Sequence, residues 1–75
     1  MRLNKLAISQ PAEVAGVDES DLKPKLTDMG IVPGKQVKVL FKAPLGDPIA
    51  IDVGGYILSL RLDEASLIQV KAYAS

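Results

Sequence analysis

The sequence predicts a mainly β domain: a small, partly open barrel or strongly bent sheet of five short strands, plugged by one short helix. Three observations carry this reading. Short runs of alternating apolar and polar residues recur, each bounded by proline, glycine, serine or aspartate. Hydrophobic residues make up 48% of the chain but only three are aromatic, so the core must consist of Val, Ile and Leu, and its β-branched content favours strands. Gly54-Gly55, set between Val53 and Tyr56, matches a two-residue hairpin in a primed turn.

Taken in order, residues 3–8 place Leu3, Leu6 and Ile8 at mixed spacing, which settles no secondary structure but lays an apolar edge on the core. Ser9-Gln10-Pro11 is a turn signal, and residues 12–17 alternate as a short strand in which Gly16 marks a bulge or close backbone approach. The acidic stretch Asp18-Glu19-Ser20-Asp21 suits the positive end of a helix. Pro24 is tolerated only in a first turn, so Asp21 or Lys23 is the expected cap of a helix over about residues 22–29. Leu22, Leu26 and Met29 share one face of that helix, and Gly30-Ile31 has the form of its C-terminal stop.

Val32-Pro33-Gly34-Lys35 carries proline and glycine at the two central positions of a type II turn. A strand over residues 36–42 follows, with Val37, Val39 and Phe41 on its inward-reading face. Next comes Ala43-Pro44-Leu45-Gly46-Asp47-Pro48, a shaped loop with two fixed φ angles, one glycine free to take positive φ and an aspartate able to bond its own backbone. Beyond it, strands at 49–53 and 56–61 pair antiparallel across the glycines. Asp63-Glu64-Ala65-Ser66 forms a capped turn or corner, residues 67–71 a last strand, and residues 72–75 a fraying tail.

Composition narrows the chemistry. At 75 residues the chain is one domain, able to bury only about 60% of its unfolded surface. With neither cysteine nor histidine it has no disulfide framework, no usual structural zinc site, no thiol nucleophile and no Ser-His-Asp triad. Carboxylate pairs such as Asp63-Glu64, or Asp47 with Asp52, are the remaining acid–base candidates, against their simpler use as cap and turn ligands. The chain is therefore expected not to be an enzyme and to hold no tight metal. Nine basic residues balance nine acidic ones, leaving no net charge to mark a nucleic-acid or anionic-membrane binder. No apolar run is long enough to span a bilayer and the N-terminus lacks a secretory pattern, so the expected location is the cytoplasm.

Residues 26–34 (Leu-Thr-Asp-Met-Gly-Ile-Val-Pro-Gly), the strand Val37 to Phe41, Ala43-Pro44-Leu45-Gly46-Asp47-Pro48-Ile49, Val53-Gly54-Gly55-Tyr56 and Leu60-Arg61-Leu62-Asp63-Glu64-Ala65 together resemble the FeoA family of bacterial ferrous iron transport. The likeness covers about Leu22 to Val70; the combination of the helix stop with the Ala-Pro-Leu-Gly-Asp-Pro loop is specific where either alone is weak. It implies an SH3-like barrel with the short helix inserted before the Pro33-Gly34 turn. It also implies an accessory role: binding the cytoplasmic, GTP-hydrolysing portion of the membrane transporter FeoB and modulating its assembly or activity. Ferrous iron would be the cargo of that transporter, not a resident cofactor. Ser9-Gln10-Pro11 departs from the family pattern, which usually has glycine there. Related domains form the C-terminal part of metal-dependent repressors, but the residues from Met1 to Ser75 are expected to hold no winged-helix reader beside the barrel.

For a binding role, the expected contacts are the loop residues Pro44, Leu45, Gly46, Asp47 and Pro48, with Leu45 at the tip or folded back into the barrel mouth. Leu22, Leu26 and Met29 form a second candidate patch if one edge of the helix is exposed, against the simpler reading of core packing. The alternative is a generic SH3-like module for RNA or peptide, or a stand-alone relative of the repressor domain. Lys35, Lys38 and Lys42 would carry RNA contact, although few aromatics are available for base stacking and Tyr56, Tyr73 and Phe41 are scattered. A free edge strand would also permit weak self-association.

Overall fold

The computed structural model describes residues 1–73 and places five strands in one antiparallel sheet. They are β1 (Ala12–Val17), β2 (Gln36–Lys42), β3 (Ile49–Val53), β4 (Tyr56–Leu60) and β5 (Ile68–Ala72), ordered β4-β3-β2-β1-β5. The sheet is bent but not closed, because β4 and β5 remain its two edges. Before β1 stands a 3-10 turn at Leu3–Lys5, which sends Leu3 and Leu6 fully into the core and leaves Ile8 half-exposed. The helix α1 (Lys23–Asp28) lies between β1 and β2, and the single-turn helix α2 (Leu62–Ala65) between β4 and β5.

Local chemistry explains most of the boundaries. Gly16 follows a register shift in the β1–β5 ladder, so the bulge its position suggested is present. Pro24 lies in the first turn of α1, but the cap is Leu22, not Asp21 or Lys23; the Ser20 hydroxyl accepts the Leu22 N–H at 3.2 Å and takes over the expected capping function. At the other end Gly30 has φ +93, and the Ile31 N–H returns to the Leu26 carbonyl at 3.0 Å, closing the helix as the Gly30-Ile31 pair required. Lys35 N–H reaches the Val32 carbonyl at 3.1 Å across the Pro33-Gly34 turn. Gly54 and Gly55 both have positive φ, and Val53 pairs directly with Tyr56.

Four further sequence expectations change. Phe41 does not point inward: the β2–β3 register shifts between Val39 and Phe41, and the extra residue Leu40 breaks the alternation. Val37 and Val39 are buried while Phe41 is 61% exposed. Arg61 leaves the strand and becomes the N-cap of α2, its N–H held at 2.9 Å by the Glu64 carboxylate three residues on. Leu67 precedes β5 instead of opening it. Ala72 closes β5 opposite Ala12, not in a tail, and residues 74 and 75 lie outside the described part.

The core is one aliphatic cluster of residues from the N-terminal turn, all five strands, both helices and Ile31. Two polar ties close it. Glu64, almost wholly buried, joins α2 to α1 through Lys25 at 2.8 Å. Asp18, after β1, accepts from Arg2 at 2.7 Å and from Gln69 of β5 at 2.8 Å.

Candidate functional site

The loop between β2 and β3 is built to project one side chain. Ala43 N–H bonds the Pro48 carbonyl at 3.0 Å and closes the base, and Gly46 N–H bonds the Ala43 carbonyl at 2.6 Å across a tight turn. Pro44 and Leu45 occupy the centre of that turn; Gly46, at φ +84, then adopts a backbone conformation that a side chain would resist. The Asp47–Pro48 peptide is cis. Asp47 does not bond its own turn: its carboxylate accepts the Leu62 N–H, the first of α2, at 3.1 Å. That bond satisfies an N–H which the helix itself leaves unpaired, and it anchors the loop to a second element. Leu45 stands at the apex with 95% of its surface exposed, so it does not fold back into the barrel mouth.

Sequence reasoning missed two neighbours of this loop. Phe41 leaves β2 outward just before it, and Ser9 N–H donates to the Val39 carbonyl at 2.7 Å, which brings Ile8 alongside the second half of β2. Ile8 is 51% exposed. The available signal was Val39-Leu40-Phe41, three successive apolar residues that interrupt a period of two. Ile8, Phe41 and Leu45 are each exposed apolar side chains, the kind that can anchor a partner.

The helix residues divide. Leu26 is fully buried and belongs to the core, so it offers no surface to a partner. Leu22 is half-buried, and Met29 packs partly against the core while its carbonyl accepts the Tyr56 hydroxyl at 2.8 Å. The contacts that bury this face are those of an ordinary amphipathic helix on a sheet.

Among the described residues the charged groups converge on no reaction centre. Asp63 accepts the Glu64 N–H, and Glu64 is engaged with Arg61 and Lys25. Asp47 and Asp52 sit at opposite ends of β3, roughly 15 Å apart by strand rise. The Lys25 ammonium and the Arg61 N–H hold the Glu64 carboxyl below the usual glutamate range, as Arg2 and Gln69 do for Asp18. The three lysines do not align either. Lys35 lays its stem beside Gly54, Lys38 pairs across the ladder with Asp52, and Lys42 lies beyond the bulge opposite Ile49. A shallow groove of about 320 Å³ beside Lys38 and Asp52 carries both signs of charge. Among the described residues, no group of three or more acidic side chains could hold a metal ion, and no helix is long and apolar enough to cross a membrane.

Comparison with known proteins gives this architecture its relatives. The FeoA domain family matches residues 1–72. A Porphyromonas gingivalis protein described as a Fe(2+) transport protein A/Fe(2+) transporter FeoB fusion is 33% identical over the whole chain, which spans only 9% of that protein's length. The solution structure of a FeoA-like protein from Clostridium acetobutylicum superposes with a TM-score of 0.93 at 42% identity, covering 100% of this chain and 88% of the other. Stenotrophomonas maltophilia FeoA, crystallised with zinc and described as an SH3 domain protein, aligns with a TM-score of 0.82 at 29% identity over 95% of this chain and 89% of that one. Its SH3 description agrees with the bent five-stranded sheet found here. With a family match over nearly its whole length and the same fold in those relatives, this chain belongs to the FeoA domain family.

Proposed function

We propose that this protein is a cytoplasmic accessory of ferrous iron uptake that binds a FeoB-type transporter through the 43–48 loop and modulates its assembly or activity without catalysing a reaction itself. The observation that carries the contact is Leu45, 95% exposed at the apex of a loop pinned at both its base and its Asp47 side. An apolar side chain held ready in this way loses little entropy on docking. Pro44, Gly46, Asp47 and Pro48 shape the loop; Phe41 and Ile8 extend its apolar surface, and the exposed parts of Leu22 and Met29 form a secondary edge. The partner's identity is supported by the P. gingivalis relative, in which a segment like this chain and a FeoB transporter share one polypeptide. Ferrous iron is the transporter's cargo in this reading, and no tightly held cofactor is assigned to the chain.

Burying a leucine contributes about 1.5–3 kcal/mol, so replacing it with a charge at a desolvated contact should cost at least about tenfold in affinity. The experiment is capture of detergent-solubilised FeoB from the same cell, and of its isolated cytoplasmic portion, by the wild-type protein and by Leu45→Asp. Capture lost in the variant, with circular dichroism unchanged, is expected. Equal capture by both proteins would remove the loop from the interface, and no capture by the folded wild type would remove the adaptor role.

A further inference from the structure

The two edges of the sheet are treated differently. The outer side of β5 is covered by the start of the chain: Val70 N–H donates to the Met1 carbonyl at 2.8 Å, and Arg2 forms a bridge with Gln69. Lys71 adds a charge to that strand. β4, by contrast, reads Tyr-Ile-Leu-Ser-Leu, with no charge, no proline and no irregularity in its register with β3. These are the devices by which edges are usually blunted.

The hairpin decides which backbone groups of β4 are free. In a two-residue primed hairpin the flanking residues form a hydrogen-bonded pair, so Val53 bonds Tyr56, and by alternation Ile51 bonds Leu58 and Ile49 bonds Leu60. The N–H and C=O groups of Ile57 and Ser59 therefore point away from β3. No backbone hydrogen bond from a loop or helix reaches them among the described residues. Ile57 is 67% exposed, which leaves the approach open.

We propose that this edge pairs with β4 of a second copy, antiparallel, about a two-fold axis through Leu58. In this register Ile57 faces Ser59 of the other copy and Ser59 faces Ile57, giving about four hydrogen bonds, while the two Leu58 side chains meet at the close spacing of a non-bonded pair. The strand's lack of charge means self-pairing brings no like charges together. Its ends are complementary instead. Arg61, exposed and in no ion pair among the described residues, falls opposite Gly55 of the other copy. The Gly55 N–H is bonded to the Asp52 carboxylate at 3.0 Å, so each Arg61 arrives at the turn that carries an Asp52. The contact uses neither Leu45 nor the 43–48 loop and stands independently of the transporter role.

A single edge-to-edge pairing is smaller than the roughly 1,200 Å² of a stable interface, so the dimer should have a dissociation constant on the order of 0.1–1 mM. Sedimentation and residue-resolved amide exchange of the full chain, from micromolar to millimolar concentration, test this. The expected result is a monomer–dimer equilibrium in which the Ile57 and Ser59 amides gain protection with concentration while those of Leu58 and Leu60 do not change. Ser59→Pro removes only an outward N–H and should weaken the dimer about tenfold or more. Ile57→Lys, on an exposed face, should do the same should the proline variant misfold. A monomer throughout, a dimer without protection at Ile57 and Ser59, or a dimer undiminished in a folded variant would each overturn the assignment.

Discussion

Single backbone conformations separate residues chosen for geometry from residues chosen for contact. Ser9 is the one non-glycine residue with positive φ among those described, at +70, and its N–H is fixed to the Val39 carbonyl at 2.7 Å. The conformation is forced by that bond and by the turn into β1, at a position where the family resemblance leads one to expect glycine. A left-handed conformation costs a residue with a Cβ about 1–2 kcal/mol, partly offset in a glycine variant by greater freedom of the unfolded chain. Ser9→Gly should therefore raise stability by about 0.5–1 kcal/mol, read as a higher urea midpoint at constant slope. A lower midpoint would mean the Ser9 side chain contributes more than its backbone costs. Leu45 is the opposite case: its own backbone is ordinary, and its exposure follows from the bonds of Ala43, Gly46 and Asp47 around it.

Among elements, the C-terminal end of α1 and the start of β4 approach each other closely. The Tyr56 hydroxyl bonds the Met29 carbonyl at 2.8 Å, and a Cβ placed on Gly30 would lie 2.1 Å from that same oxygen. Gly30 thus serves two purposes, a left-handed helix stop and clearance for Tyr56. Gly30→Ala should destabilise the protein by about 2 kcal/mol or more, from φ strain and steric conflict together. In a Tyr56→Phe background the oxygen is gone, and the same change should cost only the backbone part. Urea unfolding of the four proteins checks this; strict additivity would show that the hydroxyl does not constrain Gly30. The helix, its stop and the hairpin were each legible from residue spacing alone. Their meeting was not, because Gly30 and Tyr56 are joined only by the return of the chain through β2 and β3.

At the scale of the whole molecule, two carboxylates besides Asp47 join segments distant in sequence: Asp18 ties β1 to Arg2 and β5, and Glu64 ties α2 to α1. Both carboxyls are held below their ordinary values, Asp18 by hydrogen bonds from Arg2 and Gln69 and Glu64 by those from Lys25 and the Arg61 N–H. A carboxyl depressed in the folded state takes up its proton more readily once unfolded, so its contribution is complete above the unfolded value and is lost as pH falls through the folded one. Stability should be flat near neutrality and fall below about pH 4, where free carboxyls begin to protonate. A paired Asp18→Asn, Glu64→Gln protein should show a shallower acid limb in urea midpoints against pH. An unchanged limb would place the acid sensitivity in other carboxyls.

What the sequence by itself determined is everything decided within a few residues: the helix with its Gly30 stop, the Pro33-Gly34 turn, the Gly54-Gly55 hairpin, the Gly16 bulge and the shaped 43–48 loop. These are local because φ restrictions, hydrogen bonds within a turn and side-chain periodicity act over one or two turns of chain. Tertiary structure decided which faces remain outside. Phe41 was turned outward by a bulge set by its pairing with β3, and Leu26 was separated from Leu22 and Met29 by the depth of the core. Asp47 bonded α2 instead of its own turn, and β5 was covered by the N-terminus while β4 was left open. Exposure and long-range partnership depend on how elements pack, and that is set by the sum of many burials across the molecule, not by any one stretch of sequence.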